Sequence, residues 1–174
     1  MSSSPIIDAN LRATALVVTV AATGLHGSVL SDSVGGGHQT AILAWTVSVV
    51  AWCWVASLYG LASLCATVLA SAPLVQLALD GVASLATLAD AIALSAVLGV
   101  VDCGDISSAT ESDWIGFGSA DTEHRCRMVQ AGTVLIWILC VLFSLIAFFT
   151  FRSWRVRAAG RRSPPGRPNM SQPV

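Results

Sequence analysis

Apolar residues run along this chain in four long stretches, approximately 11–30, 41–64, 73–101 and 129–151, separated by shorter polar segments. A bilayer core about 30 Å thick takes ~20 apolar residues per helix, and each stretch meets that length. Lipid offers no partners to exposed amides, so a spanning segment must satisfy its own backbone, which makes each stretch a helix. The pattern predicts an all-α integral membrane protein, a four-transmembrane-helix bundle over residues 11–151 with a short N-terminal segment, 1–10, and a polar tail, 152–174.

The third stretch breaks the pattern with two acids, Asp80 and Asp90. A charge at mid-bilayer costs at least ~2.5–3.5 kcal/mol on insertion scales, so such residues face the bundle interior and find partners. Ala83, Thr87, Ala91, Ser95 and Gly99 form a stripe of small residues at spacing four on that span, and Ala15, Thr19, Thr23 and Gly27 form a matching stripe on the first. Small stripes permit close helix approach in lipid. Spans one and three are therefore expected to touch, with both acids shielded. At ~1.5 Å rise per residue, His26 lies near the depth of Asp90. Tyr59, Thr19 and Ser144 lie near that of Asp80, and Arg12 is within reach of it. Two readings follow: polar residues that bond the helices together, or are held as protonated acids, against a proton or ion relay lining the pore of a small transporter or channel. The spans lack the broken helices and inverted repeat of secondary transporters, which favours the first.

Charge then sets orientation. The net charge of −1 conceals a polarised distribution. Residues 102–128 carry six acids, and the tail carries Arg152, Arg155, Arg157, Arg161, Arg162 and Arg167 with no acid. Basic residues near span ends mark the cytosolic side. Both termini and the 65–72 connection are expected in the cytosol, and the loops 31–40 and 102–128 outside. Asp8 and Arg12 ahead of an apolar run that continues to Leu30 argue against a cleaved signal peptide. The tail is polar and Pro-containing, so disorder is expected. Its arginines, Arg152, Arg155, Arg157, Arg161 and Arg162 foremost, would attract anionic inner-leaflet lipid at about 1 kcal/mol each near the surface, or serve only to fix topology.

Cys103 and Cys126 bracket the outer acidic loop, at the exit of span three and the entry of span four. An oxidising exterior permits a bridge there; two unrelated thiols are the alternative. Neither CxxC nor a His/Cys ligand spacing occurs, so no metal is expected. Trp45, Trp52 and Trp54 suit a headgroup-level anchor. The Gly35–Gly37 run lacks the strand–helix context of a phosphate cradle, and His124 pairs with no nucleophile by spacing. The residues point to no catalytic role, no cofactor and no nucleic-acid partner.

The order of several short segments resembles the fungal MARVEL-domain tetraspan family, in its non-classical export protein branch associated with eisosomes. These are Asp8-Ala-Asn-Leu-Arg12, Ser57-Leu-Tyr-Gly60, Pro73-Leu-Val, Leu79-Asp80, Cys103, and Arg125-Cys126-Arg127 followed by Gln130-Ala131. The resemblance covers roughly residues 6–151. It implies a plasma-membrane four-helix bundle with cytosolic termini, which organises furrow-like compartments, responds to sphingolipid and influences endocytosis and eisosome assembly. Implied partners are membrane lipids, membrane or eisosome proteins, and further copies of the chain. Asp90 and the Arg-only, Pro-rich tail fall outside the family's pattern.

Overall fold

The structure, a computed structural model, describes residues 5–31, 38–65, 73–99, 102–104, 114–115 and 121–161. Four helices account for nearly all of them: α1 (Pro5–Ser31), α2 (His38–Cys65), α3 (Pro73–Leu98) and α4 (Thr122–Arg161). All four are long and apolar enough to cross a membrane.

The helix ends follow local chemistry. α1 and α3 open on proline, whose missing N–H costs nothing in the first turn. Gly99 closes α3 with φ +66°, the left-handed conformation that glycine adopts without strain. Asp121 caps α4, its Oδ1 accepting the His124 amide at 3.0 Å. That cap starts α4 seven residues before the apolar run begins. The other end corrects an expectation. Helix was expected to give way to a disordered tail after Phe151, but α4 continues to Arg161. Arginine and alanine dominate that stretch and are good helix formers, and the first proline comes only at Pro164.

The helices pack in a ring, α1 on α2, α2 on α3, α3 on α4 and α4 on α1. Spans one and three, expected to touch, stand diagonally and meet across the centre through the Arg12–Asp80 pair rather than along their small-residue stripes. Short connections after α1 and α2, and the disulfide that draws together the ends of the longer one after α3, make sequence neighbours antiparallel partners, leaving the third helix opposite the first. Only part of each small-residue stripe is buried: Ala15 and Thr19 face inward, while Thr23 and Gly27 are exposed. A step of four residues turns 400°, so such a stripe drifts by about 40° per step and leaves the axis within three steps.

The buried positions instead follow a seam that alternates steps of three and four. That seam runs through Arg12, Ala15, Thr19, Ala22, His26 and Val29 on α1; Leu43, Thr46, Val50, Cys53, Ser57 and Gly60 on α2; Asp80, Ala83, Thr87, Asp90 and Leu94 on α3; and Val129, Gly132, Ile136, Leu139, Phe143 and Ile146 on α4, with further buried residues such as Val49, Ala56, Ala91, Thr133 and Cys140 beside it. A 3.5-residue period is the seam of a supercoiled bundle. The seams are unequal: α1 supplies polar or small side chains, and the bulk of α4 fills the space against them. Outward, Val17, Val20, Leu58, Leu85, Ile92, Val141 and Phe148 are exposed, as lipid-facing residues should be.

One end of the ring is covered by a covalent cap. Cys103 and Cys126 are joined, with their Cα atoms 5.7 Å apart. Trp114 packs on the bridge and donates from Nε1 to the Leu98 carbonyl at 3.0 Å, and Arg125 Nε donates to the Ile115 carbonyl at 3.1 Å. The bridge ties the end of α3 to the start of α4 across 23 residues. Closing such a loop stabilises by about 3 kcal/mol in the chain-entropy model. A Cys103→Ala/Cys126→Ala variant should therefore keep its helix content in circular dichroism but unfold at lower denaturant. An unchanged midpoint would remove the bridge from the stability of the bundle.

Candidate functional site in the bundle seam

Arg12 is the largest fully buried side chain among the described residues, only 1% exposed. It stands two turns into α1, where the span has already entered the apolar region. Its guanidinium faces Asp80 across the ring: Nη2 donates to Oδ2 at 3.0 Å and Nη1 to Oδ1 at 3.3 Å. This two-pronged geometry matches the fork of a guanidinium to both oxygens of a carboxylate. Nε donates back to Asp8 Oδ2 at 3.2 Å, one turn earlier on α1. Thr150 of α4 lies 3.5 Å from both Arg12 Nη2 and Asp80 Oδ2. From α2 the contribution is an absence of side chain: a Cβ at Gly60 would sit 2.7 Å from Arg12 Cζ. All four helices thus converge on one ion pair, α3 supplying the acid, α4 a hydroxyl and α2 a notch. Tyr59, beside the notch, is half-buried and joins none of these bonds.

Toward the capped end, His26 and Asp90 are both buried, at 1% and 0% exposure. Their similar depth does not make them partners. His26 Nδ1 bonds the Ala22 carbonyl at 3.0 Å, and its ring fills a second notch, where a Cβ at Gly132 of α4 would lie 2.7 Å from Nε2. Asp90 turns to α2 and receives Thr46 Oγ1 on Oδ1 at 2.8 Å. His26 Nε2, Asp90 Oδ2 and Ser57 Oγ have no hydrogen-bond partner among the described residues.

Further bonds clasp neighbouring helices nearer the lipid. Trp54 Nε1 donates to Thr23 Oγ1 at 3.0 Å, Trp137 Nε1 to Ser95 Oγ at 3.1 Å, and the Ser84 and Ser144 hydroxyls share a hydrogen at 2.8 Å. Thr23 and Ser95, which drift off the buried seam, thus serve as acceptors on the outer surface. Trp45 and Trp52 are exposed. Cys53 and Cys140 are buried thiols. No group of three or more His, Cys, Asp or Glu residues suited to a metal occurs among the described residues.

In the α4 extension, Arg152 and Arg155 are exposed, and the Arg155 guanidinium lies over the Phe151 ring at 5.8 Å. Phe151 in turn contacts Trp154. The extension therefore combines a helical base with aromatic and cationic groups at its exit from the span. The side chains of Arg157 and Arg161, and all of Arg162, lie outside the described residues.

Sequence spacing brought Arg12 within reach of Asp80, and the Asp8–Arg12 spacing of four is a legible helical pair. Thr46 and Thr150 were not legible as partners, because an ordinary threonine in an apolar run satisfies itself on its own helix. Gly60 carried a signal only in combination, as a glycine at the depth of a buried arginine.

Removing one member of a buried pair leaves the other charge stranded, at a cost of about 3–5 kcal/mol, whereas replacing both with apolar groups is often neutral. Asp80→Asn should therefore destabilise the bundle strongly, and Arg12→Met/Asp80→Leu should recover much of the loss. Gly60→Val should act like Asp80→Asn by driving the guanidinium from its notch. Denaturant unfolding in micelles measures all three; equal stability of Asp80→Asn and the native chain would mean that the pair carries no such weight.

Residues 5–149 match the family model described as MARVEL, membrane-associating domain. No curated protein and no solved structure matches the chain.

Proposed function

The chain belongs to the MARVEL family of membrane-associating domains, and from that premise we propose that it is a non-enzymatic organiser of membrane compartments, acting through lateral contacts with lipid and membrane proteins. The observation that carries this reading is how the polar groups are used. The charges Arg12 and Asp80 bond each other across the ring. The indoles of Trp54 and Trp137 bond neighbouring helices, and large aliphatic and aromatic side chains such as Val17, Leu58, Leu85, Val141 and Phe148 face outward. Large side chains, Leu43, Leu94, Ile136, Leu139 and Phe143, fill the axis at 0% exposure. Such a centre supports an organiser over a small transporter or channel using Asp80 and Asp90.

On this proposal the protein is a multi-pass component of the plasma membrane, with both termini in the cytosol and the disulfide cap outside. The resemblance noted above extends the proposal to fungal eisosome-type furrow domains and to a response to sphingolipid. Imaging the tagged full chain in a fungal plasma membrane tests it. Static patches that disperse when sphingolipid synthesis is blocked are expected. Uniform distribution in internal membranes would defeat the reading. Ion or proton flux through reconstituted vesicles would move it to the transporter class.

The α4 extension would hold the inner leaflet. Exposed Arg152 and Arg155, with the aromatic pair Phe151 and Trp154 at the same level, suit a surface of anionic headgroups. Each near-surface arginine adds about 1 kcal/mol of attraction, which fades over a Debye length of ~10 Å at 0.1 M salt. Replacing Arg155, Arg157, Arg161 and Arg162 with Gln should preserve insertion while reducing enrichment of the full chain in anionic domains of phase-separated vesicles. The native enrichment should fall as salt rises. Partition indifferent to both substitution and salt would leave the arginines a topological role alone.

A further inference from the structure

Two aspartates share α3, both fully buried, and the bundle treats them differently. Asp80 receives two donors from one guanidinium. Asp90 receives a single hydroxyl on Oδ1, and its Oδ2 has no partner among the described residues. Ten residues separate them, about 15 Å along the helix, so Arg12 cannot serve both. Among the described residues, the other titratable or charged groups on the buried faces are His26 on α1, Cys53 on α2, and Cys140 and Arg125 on α4. His26 Nδ1 faces a carbonyl and must therefore donate to it, which leaves Nε2 of a neutral ring as a bare acceptor. Arg125 is bonded at the disulfide cap. None of these side chains is hydrogen-bonded to Asp90.

Counting hydrogens at Thr46 shows which state of Asp90 fits. The threonine hydroxyl has one hydrogen and two acceptors in reach, Asp90 Oδ1 at 2.8 Å and the Ile42 carbonyl at 3.1 Å. If Asp90 is ionised, the single hydrogen goes to Oδ1, and one bond must support a whole buried charge. If Asp90 carries a proton on Oδ1, the acid donates to Thr46, and Thr46 donates onward to Ile42. Every hydrogen then has an acceptor, and Oδ2 becomes an uncharged carbonyl oxygen, for which lacking a bond costs far less than for a carboxylate.

We propose that Asp90 and Thr46 form a buried proton-binding site, with the acid proton held on Oδ1 between α3 and α2 at neutral pH. Asp80 remains the ionised partner of Arg12. The span thus holds one structural carboxylate and one neutral acid able to take up or release a proton inside the bilayer. Release would leave a carboxylate with one bond at the interface of two helices, so occupancy of the site bears on how tightly α2 and α3 pack.

Infrared spectroscopy of the full chain reconstituted in lipid tests the assignment. A protonated-acid carbonyl band from Asp90 is expected at neutral pH. Asp90→Asn should abolish that band, yet keep helix content and shift the thermal midpoint by only a few degrees, because the amide N–H can donate to Thr46 as the acid does. Thr46→Val should retain the band at higher wavenumber, since the acid loses its acceptor. Absence of the band in the native chain, its persistence in Asp90→Asn, or collapse of Asp90→Asn would each overturn the proposal. So would a band that ignores Thr46→Val.

Discussion

A guanidinium held away from water sets the terms for this bundle. Arg12 lies in surroundings where a bare cation is untenable, and the neighbouring helices answer it at once: a carboxylate from α3, a hydroxyl from α4 and a missing side chain from α2. Between helices in lipid the hydrophobic effect gives little preference for one arrangement over another, since a lipid tail is as apolar as a leucine. Packing and polar contacts decide instead. One ion pair that needs all four helices in place therefore selects a single register and a single ring order. Whether such pairs confer uniqueness or only stability varies among proteins. Here the convergence of four elements on one charge favours uniqueness.

The spans and helix type were legible because lipid imposes a crude rule, that long apolar runs must be helices. The buried acids were legible because they violate the composition of their span. What escaped was the ring order. The stripe of Ala15, Thr19, Thr23 and Gly27 reads as one face, but it winds around α1, and its last two members look outward. Identifying the true seam required noticing that Arg12, Thr19 and His26 fall on a seven-residue repeat, which apolarity alone does not mark. The end of α4 was hidden for a related reason. An arginine-rich stretch reads as solvated tail, although arginine and alanine dominate it and no proline comes before Pro164.

The two ends of the bundle are built differently. One is fixed covalently, with the disulfide and Trp114 covering the tops of α3 and α4. The other is fixed electrostatically by the Arg12 cluster, beyond which α4 extends furthest. At ~1.5 Å per residue, its 40 residues span about 60 Å, twice the thickness of an apolar bilayer core. The extension presents arginines on a helix continuous with the packed core, so a force on it would be transmitted to the bundle.

The two glycine notches have a mechanical consequence. Arg12 fills the hollow at Gly60 on one neighbour of α1, and His26 fills the hollow at Gly132 on the other, fourteen residues and about 21 Å further along. A rod pinned at two heights against two different walls can neither slide nor rotate without withdrawing both pins. α1 therefore cannot adjust to a thinner or thicker bilayer by moving a turn past its neighbours. The whole ring must tilt together, so local membrane thickness is met by the orientation of a rigid body.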